Sequence, residues 1–263
     1  MACTTGPRST QRYYSAVILP KFLLVAVVAI IGITMVMAAD PDPLQGFCVG
    51  DLTSNITLNG LVCKKPAEVT PSDFIYTGLE KPLAFDKFYG SSVNTAFVMS
   101  FPGINTQGIS MTGLDFLPQG LNVPHWHPRA SEVLFVVSGP LQVGFVDENN
   151  FFWANTLQTG DVTIFPRGLA HFQYNNGSRK ALAIAALSSQ NPGRLNSGNS
   201  VFGTDIPNII LEKTFNLSRE VVVDLKKFFK SQAQGKGINE EATSEDRSKN
   251  LNRLVLSLLT EAL

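Results

Sequence analysis

All three histidines of this 263-residue chain fall in one pattern, and any fold of the chain has to close it. His125 and His127 flank Trp126 in a Pro-His-Trp-His-Pro stretch, Glu132 follows five residues after His127, and His171 ends a run that begins at Gly160. Neutral imidazoles and one carboxylate are the donors that hold a borderline first-row metal ion. One such histidine alone reads as well as a packed core residue; three with a glutamate at this spacing read as a metal site. Zinc tolerates these donors, while the carboxylate and spare coordination favour manganese or iron.

The spacing constrains the architecture. Residues two apart on a strand point to the same face, so His125 and His127 share an interior and Trp126 points away from it. Pro128 and Arg129 break the strand before Glu132 rejoins that interior. His171 has to arrive from a strand distant in sequence but adjacent in a closed sheet. Four ligands leave two positions open on a six-coordinate ion, which separates a reactive site from a structural one.

From Ala96 to Leu187 the chain reads as short strands with turn signals between them. Residues 109–116 alternate, 133–137 are apolar, Ser138-Gly139-Pro140 turns, and 141–146 follow. A polar loop at 147–150 precedes further strands near 151–157, 161–165, 171–174 and 181–187. Many short strands at regular spacing predict an all-β sandwich or barrel rather than βαβ units. Beyond them, Ser218 is placed to cap a helix with Glu220 in its first turn, and Val221, Val222, Leu225, Phe228 and Phe229 share one helical face. A stripe of this kind packs on its own domain or on a neighbouring subunit. Residues 231–263 read as a flexible linker and a short amphipathic helix, without recognisable chemistry.

The two ends speak to compartment. Residues 1–39 carry Arg8, Arg12 and Lys21 and no acid, and 22–39 are an apolar run closed by Ala38 and Ala39 before the polar 40–43. That is the layout of a cleaved secretory signal; an uncleaved membrane anchor is the alternative, because about 18 apolar residues also reach across a bilayer. Cys3 would leave with the signal. Cys48 and Cys63 remain as an even pair, read as a disulfide in an oxidising compartment, with two buried thiols as the alternative. Asn55, Asn176 and Asn216 begin Asn-x-Ser/Thr triplets, candidate glycosylation acceptors but individually weak signals. Removing residues 1–39 leaves 18 basic against 21 acidic residues, a net charge of −3. With no basic stripe to neutralise phosphates, nucleic acid is excluded as a partner.

The two histidine stretches resemble the paired motifs of the cupin superfamily. The second motif is met from Gly160 through Pro166, Gly168 and His171 to Asn175. The first is met at His125, His127, Glu132 and Gly139, but Gln119 stands at its opening glycine, with Gly120 one place later. Within cupins the chain is similar to plant germin-like proteins in residues 40–49, 165–169 and 183–193. The likeness runs from residue 40 to about 230, and the 231–263 tail departs from it. It implies a jelly-roll β-barrel with a C-terminal helical segment, a bound manganese ion, and a homohexamer built as a trimer of dimers in the plant extracellular matrix (apoplast, cell wall).

Germins show two oxidoreductase activities, superoxide dismutase and oxalate oxidase. Oxalate oxidases use two asparagines near the metal to hold substrate. Asn122 matches one; Thr112 stands at the other, shorter and without an amide donor. Lost contacts to a small dianion are expensive. The sequence therefore predicts a secreted manganese protein that dismutes superoxide, with a small anion as substrate and Asn122 beside the centre. A non-catalytic wall or receptor-binding metalloprotein and, lower, oxalate oxidase are the alternatives.

Overall fold

A computed structural model describes residues 45–56, 60–80 and 83–233. The expected signal at 1–39 and all but the first three residues of the expected extension lie outside them. Among the described residues ten strands form two antiparallel five-stranded sheets that face each other as a jelly roll. The strands are β1 (Ser91–Ala96), β2 (Ser110–Phe116), β3 (Leu121–Trp126), β4 (Glu132–Ser138), β5 (Leu141–Val146), β6 (Phe152–Leu157), β7 (Val162–Phe165), β8 (His171–Tyr174), β9 (Ala181–Leu187) and β10 (Leu195–Asn196). One sheet runs β1-β2-β9-β4-β7 and the other β10-β3-β8-β5-β6.

Strict alternation sets which side chains enter the barrel. In β4, Glu132, Leu134 and Val136 are buried; in β9, Ala181, Ala183, Ala185 and Leu187. The small inward alanines leave room for the bulky Leu114, Phe116, Leu141 and Phe165, which fill the core with them. Register then grades the interior. Val136 lies across Ala183 from Leu114, Leu134 across Ala185 from Thr112, and Glu132 across Leu187 from Ser110. Apolar layers occupy one end of the barrel and polar ones the other, where the metal-binding pattern sits.

Gln119 adopts a left-handed backbone (φ +63°), the conformation that favours glycine. Its neighbour Gly120 is required by space, since a Cβ there would lie 2.5 Å from the Gly90 carbonyl oxygen. Gly120 thus has its own steric duty and does not stand in for a glycine at position 119.

Before the barrel, Cys48 and Cys63 form a disulfide with Cα atoms 4.9 Å apart. The fully buried Asn105 ties this segment down by donating to the Leu61 carbonyl at 2.8 Å. In the loop-entropy account a closure of this length is worth about 3 kcal/mol. Non-reducing peptide mapping of exported protein should recover the two cysteine peptides linked; two alkylatable thiols would contradict the pairing.

Three helices follow: α1 (Ser197–Val201), α2 (Asn208–Phe215) and α3 (Arg219–Ala233). The expected helix is α3, and the Ser218 hydroxyl accepts from the Val221 N–H at 3.4 Å as an N-cap should. It runs to Ala233, the last described residue. Val221 and Val222 are buried, Leu225, Phe228 and Phe229 half-buried, and Phe228 meets Phe88 with ring centroids 5.8 Å apart. The stripe therefore packs largely on its own subunit. A larger uncovered apolar area lies on the outer face of the first sheet, where Val133 and Phe135 of β4 are flanked by Ile164 and Val162 on one side and Ile184 and Met111 on the other.

Candidate metal centre

Strand β3 brings two inward residues, Asn122 and His125, together by an irregularity. Asn122 faces Gln173 and His125 faces His171, so three steps along β3 match two along β8. In a regular strand residues three apart point to opposite faces; the bulge, beside Pro124 with its missing N–H, turns Asn122 and His125 to the same interior. His127 lies just beyond the strand end and is buried, while Trp126 is only half-buried, as the spacing requires. Glu132 opens β4 on the facing sheet and His171 opens β8. Their donor atoms all lie within 4.8 Å of one another, and all four side chains are buried.

The backbone sets the chemistry of each imidazole. His125 Nδ1 meets the Val123 carbonyl at 2.8 Å, His171 Nδ1 meets the Leu169 carbonyl at 2.9 Å, and His127 Nδ1 meets the Gly193 carbonyl. A carbonyl only accepts, so each Nδ1 carries the proton and each Nε2 presents a lone pair inward. His127 Nε2 then lies 3.0 Å and His171 Nε2 3.5 Å from the same Glu132 oxygen, while His171 Nε2 has no hydrogen-bond partner. Lone pairs facing a carboxylate at these distances repel unless a cation lies among them. The donor set fits a metal ion on that ground.

Charge states agree. Burial, with the Arg194 charge and His171 adding to it, pushes the His125 imidazolium well below its ordinary range, so the ring is neutral. Burial alone would lift the Glu132 carboxyl; positive charge or N–H on the His127 and His171 side outweighs that and brings it down to about 2, and with Nε2 lone pairs facing it that part falls to a bound cation. A neutral imidazole and an ionised carboxylate are what a metal needs.

Two polar residues absent from the sequence reading, Gln173 and Arg194, complete the site around Asn122. Asn122 is buried but does not touch the four donors directly; its Nδ2 donates to Gln173 Oε1 at 2.6 Å, and Gln173 Nε2 reaches Glu132 Oε1 at 3.4 Å. On its other side Arg194 Nη2 donates to Asn122 Oδ1 at 2.6 Å. A guanidinium only donates and a carboxylate only accepts, so the two ends fix which way both amides point. Gln173 was legible in principle, two residues after His171 and hence on the same strand face. Thr112 is inward and buried, and its hydroxyl donates to the Asn94 carbonyl at 2.8 Å, so its only proton is engaged with the backbone. Asn55, Asn176 and Asn216 are all exposed, the last ending α2 in a left-handed conformation.

Residues 77–223 match the cupin family. The chain is 46% identical over 208 residues to germin-like protein 8-2 of Oryza sativa subsp. japonica, covering 77% of this chain and 94% of that one. It is 43% identical over 212 residues to germin-like protein subfamily 2 member 1 of Arabidopsis thaliana, covering 80% and 97%. A solved structure, recombinant oxalate oxidase in complex with glycolate, is similar with a TM-score of 0.70 and 38% identity, over 73% of this chain and 98% of that one. With its jelly roll, its clustered histidines and glutamate and these likenesses along most of its length, the chain belongs to the plant germin-like proteins of the cupin family.

Proposed function

We propose that this is an exported manganese protein with superoxide dismutase activity, working in the extracellular matrix. The observation that carries the reading is the buried convergence of three histidine nitrogens and one carboxylate. His125, His127, Glu132 and His171 would hold the ion. Manganese bound there would supply one-electron redox chemistry and leave coordination positions open to a small anion. The chain's part is to fix the donors: backbone carbonyls hold each imidazole in its ligating tautomer, and Gln173 orients the Glu132 carboxylate. Asn122, tied to Gln173, sits where it can support proton movement beside the site.

Oxalate oxidase is a second reading, favoured by the structural likeness to that enzyme. Against it stands Thr112, whose hydroxyl proton is directed at Asn94 rather than at a substrate. A wall or receptor-binding protein whose metal only stabilises the barrel is the non-catalytic alternative, since fold does not fix function. Purified protein loaded with manganese, assayed for superoxide dismutation beside a metal-stripped sample, tests the reading. Activity confined to the loaded sample is expected; an inert, fully loaded protein would favour the non-catalytic alternative.

The reading includes removal of 1–39 as a signal, use of the exposed sequons, and a homohexamer. The uncovered row Val162–Phe135–Ile184 and its neighbours Ile164, Val133 and Met111 form the kind of contiguous apolar face that a subunit contact covers. Light scattering at micromolar concentration should give a hexameric mass; a monomeric one would refute the assembly.

A further inference from the structure

A cavity of about 420 Å³ is lined by Asn122 and Arg194 but by none of the four clustered donors. Small-molecule sites run from about 300 to 1000 Å³. Among the described residues Arg194 is the one cation on its wall and Asp86 the one carboxylate. The guanidinium donates to two neutral amides, through Nη2 to Asn122 Oδ1 at 2.6 Å and through Nε to Asn196 Oδ1 at 2.7 Å. Among the described residues no carboxylate lies within ion-pair distance of it. Two of its N–H groups are thus engaged, and the rest of the donor fork remains for an acceptor with two oxygens.

The remaining wall has a different chemistry. Asp86 accepts from the Phe88 and Tyr89 N–H groups through one oxygen, at 2.8 and 2.6 Å, which leaves the other oxygen open to a donor. The Ser91 and Ser92 hydroxyls donate to the Leu121 and Leu83 carbonyls at 2.8 and 3.0 Å, so their lone pairs remain to accept. Asn196 keeps its amide N–H groups and Asn199, which donates to the Phe229 carbonyl at 3.2 Å, keeps its oxygen. Single acceptors and donors scattered around one forked cation suit a ligand with several hydroxyls and one carboxylate. A phosphate dianion would bring a second negative charge to a wall that already holds Asp86, and a neutral sugar leaves the guanidinium without a counter-charge.

We propose that this cavity binds a small hydroxylated carboxylic acid of the uronic-acid class, with Arg194 taking its carboxylate and Asp86, Ser91, Ser92 and Asn196 its hydroxyls. The site stands apart from the dismutase reading and holds whether or not the metal centre turns over. Its occupant would share the guanidinium with Asn122, at the outer end of the chain of amides that reaches Glu132.

Calorimetric titration of the intact, manganese-loaded protein with D-glucuronate, and separately with D-glucose, tests this. Saturable binding of one glucuronate per chain is expected, with glucose at least tenfold weaker because it lacks the carboxylate. Arg194→Ala should weaken glucuronate at least tenfold and bring it to the level of glucose. The comparison of the two ligands on unmodified protein needs no variant and decides the matter even if Arg194→Ala folds poorly. Equal binding of the two ligands, or no binding of glucuronate, overturns the proposal. So does undiminished glucuronate affinity in folded Arg194→Ala, which would place the carboxylate on the metal or elsewhere.

Discussion

Replacing His127 with alanine is expected to lower manganese content well below one ion per chain and to drop the melting temperature by about 5–15 °C. The reasoning runs through mass action. An ion that binds only the folded state adds about 3–4 kcal/mol when present at 100 to 1,000 times its dissociation constant. At roughly 2–4 °C per kcal/mol for a domain of this size, that gives the stated range. His127 is a demanding place to test it, because its Nε2 makes the shortest approach to Glu132, 3.0 Å, and its Nδ1 is held by the Gly193 carbonyl. Losing the ring removes one ligand and leaves a buried, ionised carboxylate with less around it. Metal analysis by mass spectrometry and a thermal melt with and without chelator check both halves. Full occupancy with unchanged melting would sink the assignment of the four ligands.

Thr112→Asn is expected to raise oxalate oxidation by about ten- to a hundredfold over a very low wild-type rate, the worth of one hydrogen bond to a charged group at about 1.5–3 kcal/mol. Dismutation should change little in comparison, because superoxide requires an accessible redox metal rather than a clamp at two ends. Thr112 shares the inward face of β2 with Ser110 and Leu114 and sits one layer from Glu132. An asparagine there would extend an amide into the polar end of the barrel, in place of a hydroxyl turned back to Asn94. Asn122 still keeps one N–H beyond the one it gives to Gln173. Both proteins are to be loaded with manganese and assayed on both substrates. Robust oxalate turnover by the wild type would overturn the ranking of activities, and an unresponsive Thr112→Asn would show that the second amide is not what is missing.

How much of this could be read from the chain follows from which forces set each part. The clustering of three histidines with Glu132 was legible because three rare residues and an acid fall in one pattern, and strands β2 and β4 to β9 because alternation and turn residues are local signals. Strand β1 was missed, as Ser91-Ser92-Val93-Asn94 is too polar to announce a strand and is held by pairing with β2. Helices α1 and α2 were missed too: α1 has five residues, and α2 opens after Pro207 without a side-chain cap. Tertiary contacts stabilise them, such as Phe202 against Phe215 and Phe229, and Lys226 donating to the Ile206 carbonyl at 2.7 Å. The bulge at Pro124 is what brings Asn122 into the barrel. Regular alternation from His125 would have turned it outward. Arg194 could not be found by any periodicity, since its place beside Asn122 depends on β10 folding back onto β3.

The three carbonyls behind the histidines have a consequence for how such a site changes over evolutionary time. Where a carboxylate side chain holds a ligating imidazole, one point mutation can misdirect the ring. Here the holding atoms belong to the main chain of residues 123, 169 and 193. Gly193 is bound to glycine by its left-handed backbone (φ +67°) and by Arg129 and Pro128 crowding the place of a Cβ, but at 123 and 169 a change of side chain brings the same carbonyl. Drift in the side chains at those two sites leaves the tautomers intact as long as the backbone path survives. The donors are thereby insulated from most substitutions around them, while neighbours such as Thr112, Asn122 and Arg194 remain free to vary. A lineage built this way can change what its centre accepts without first losing the centre.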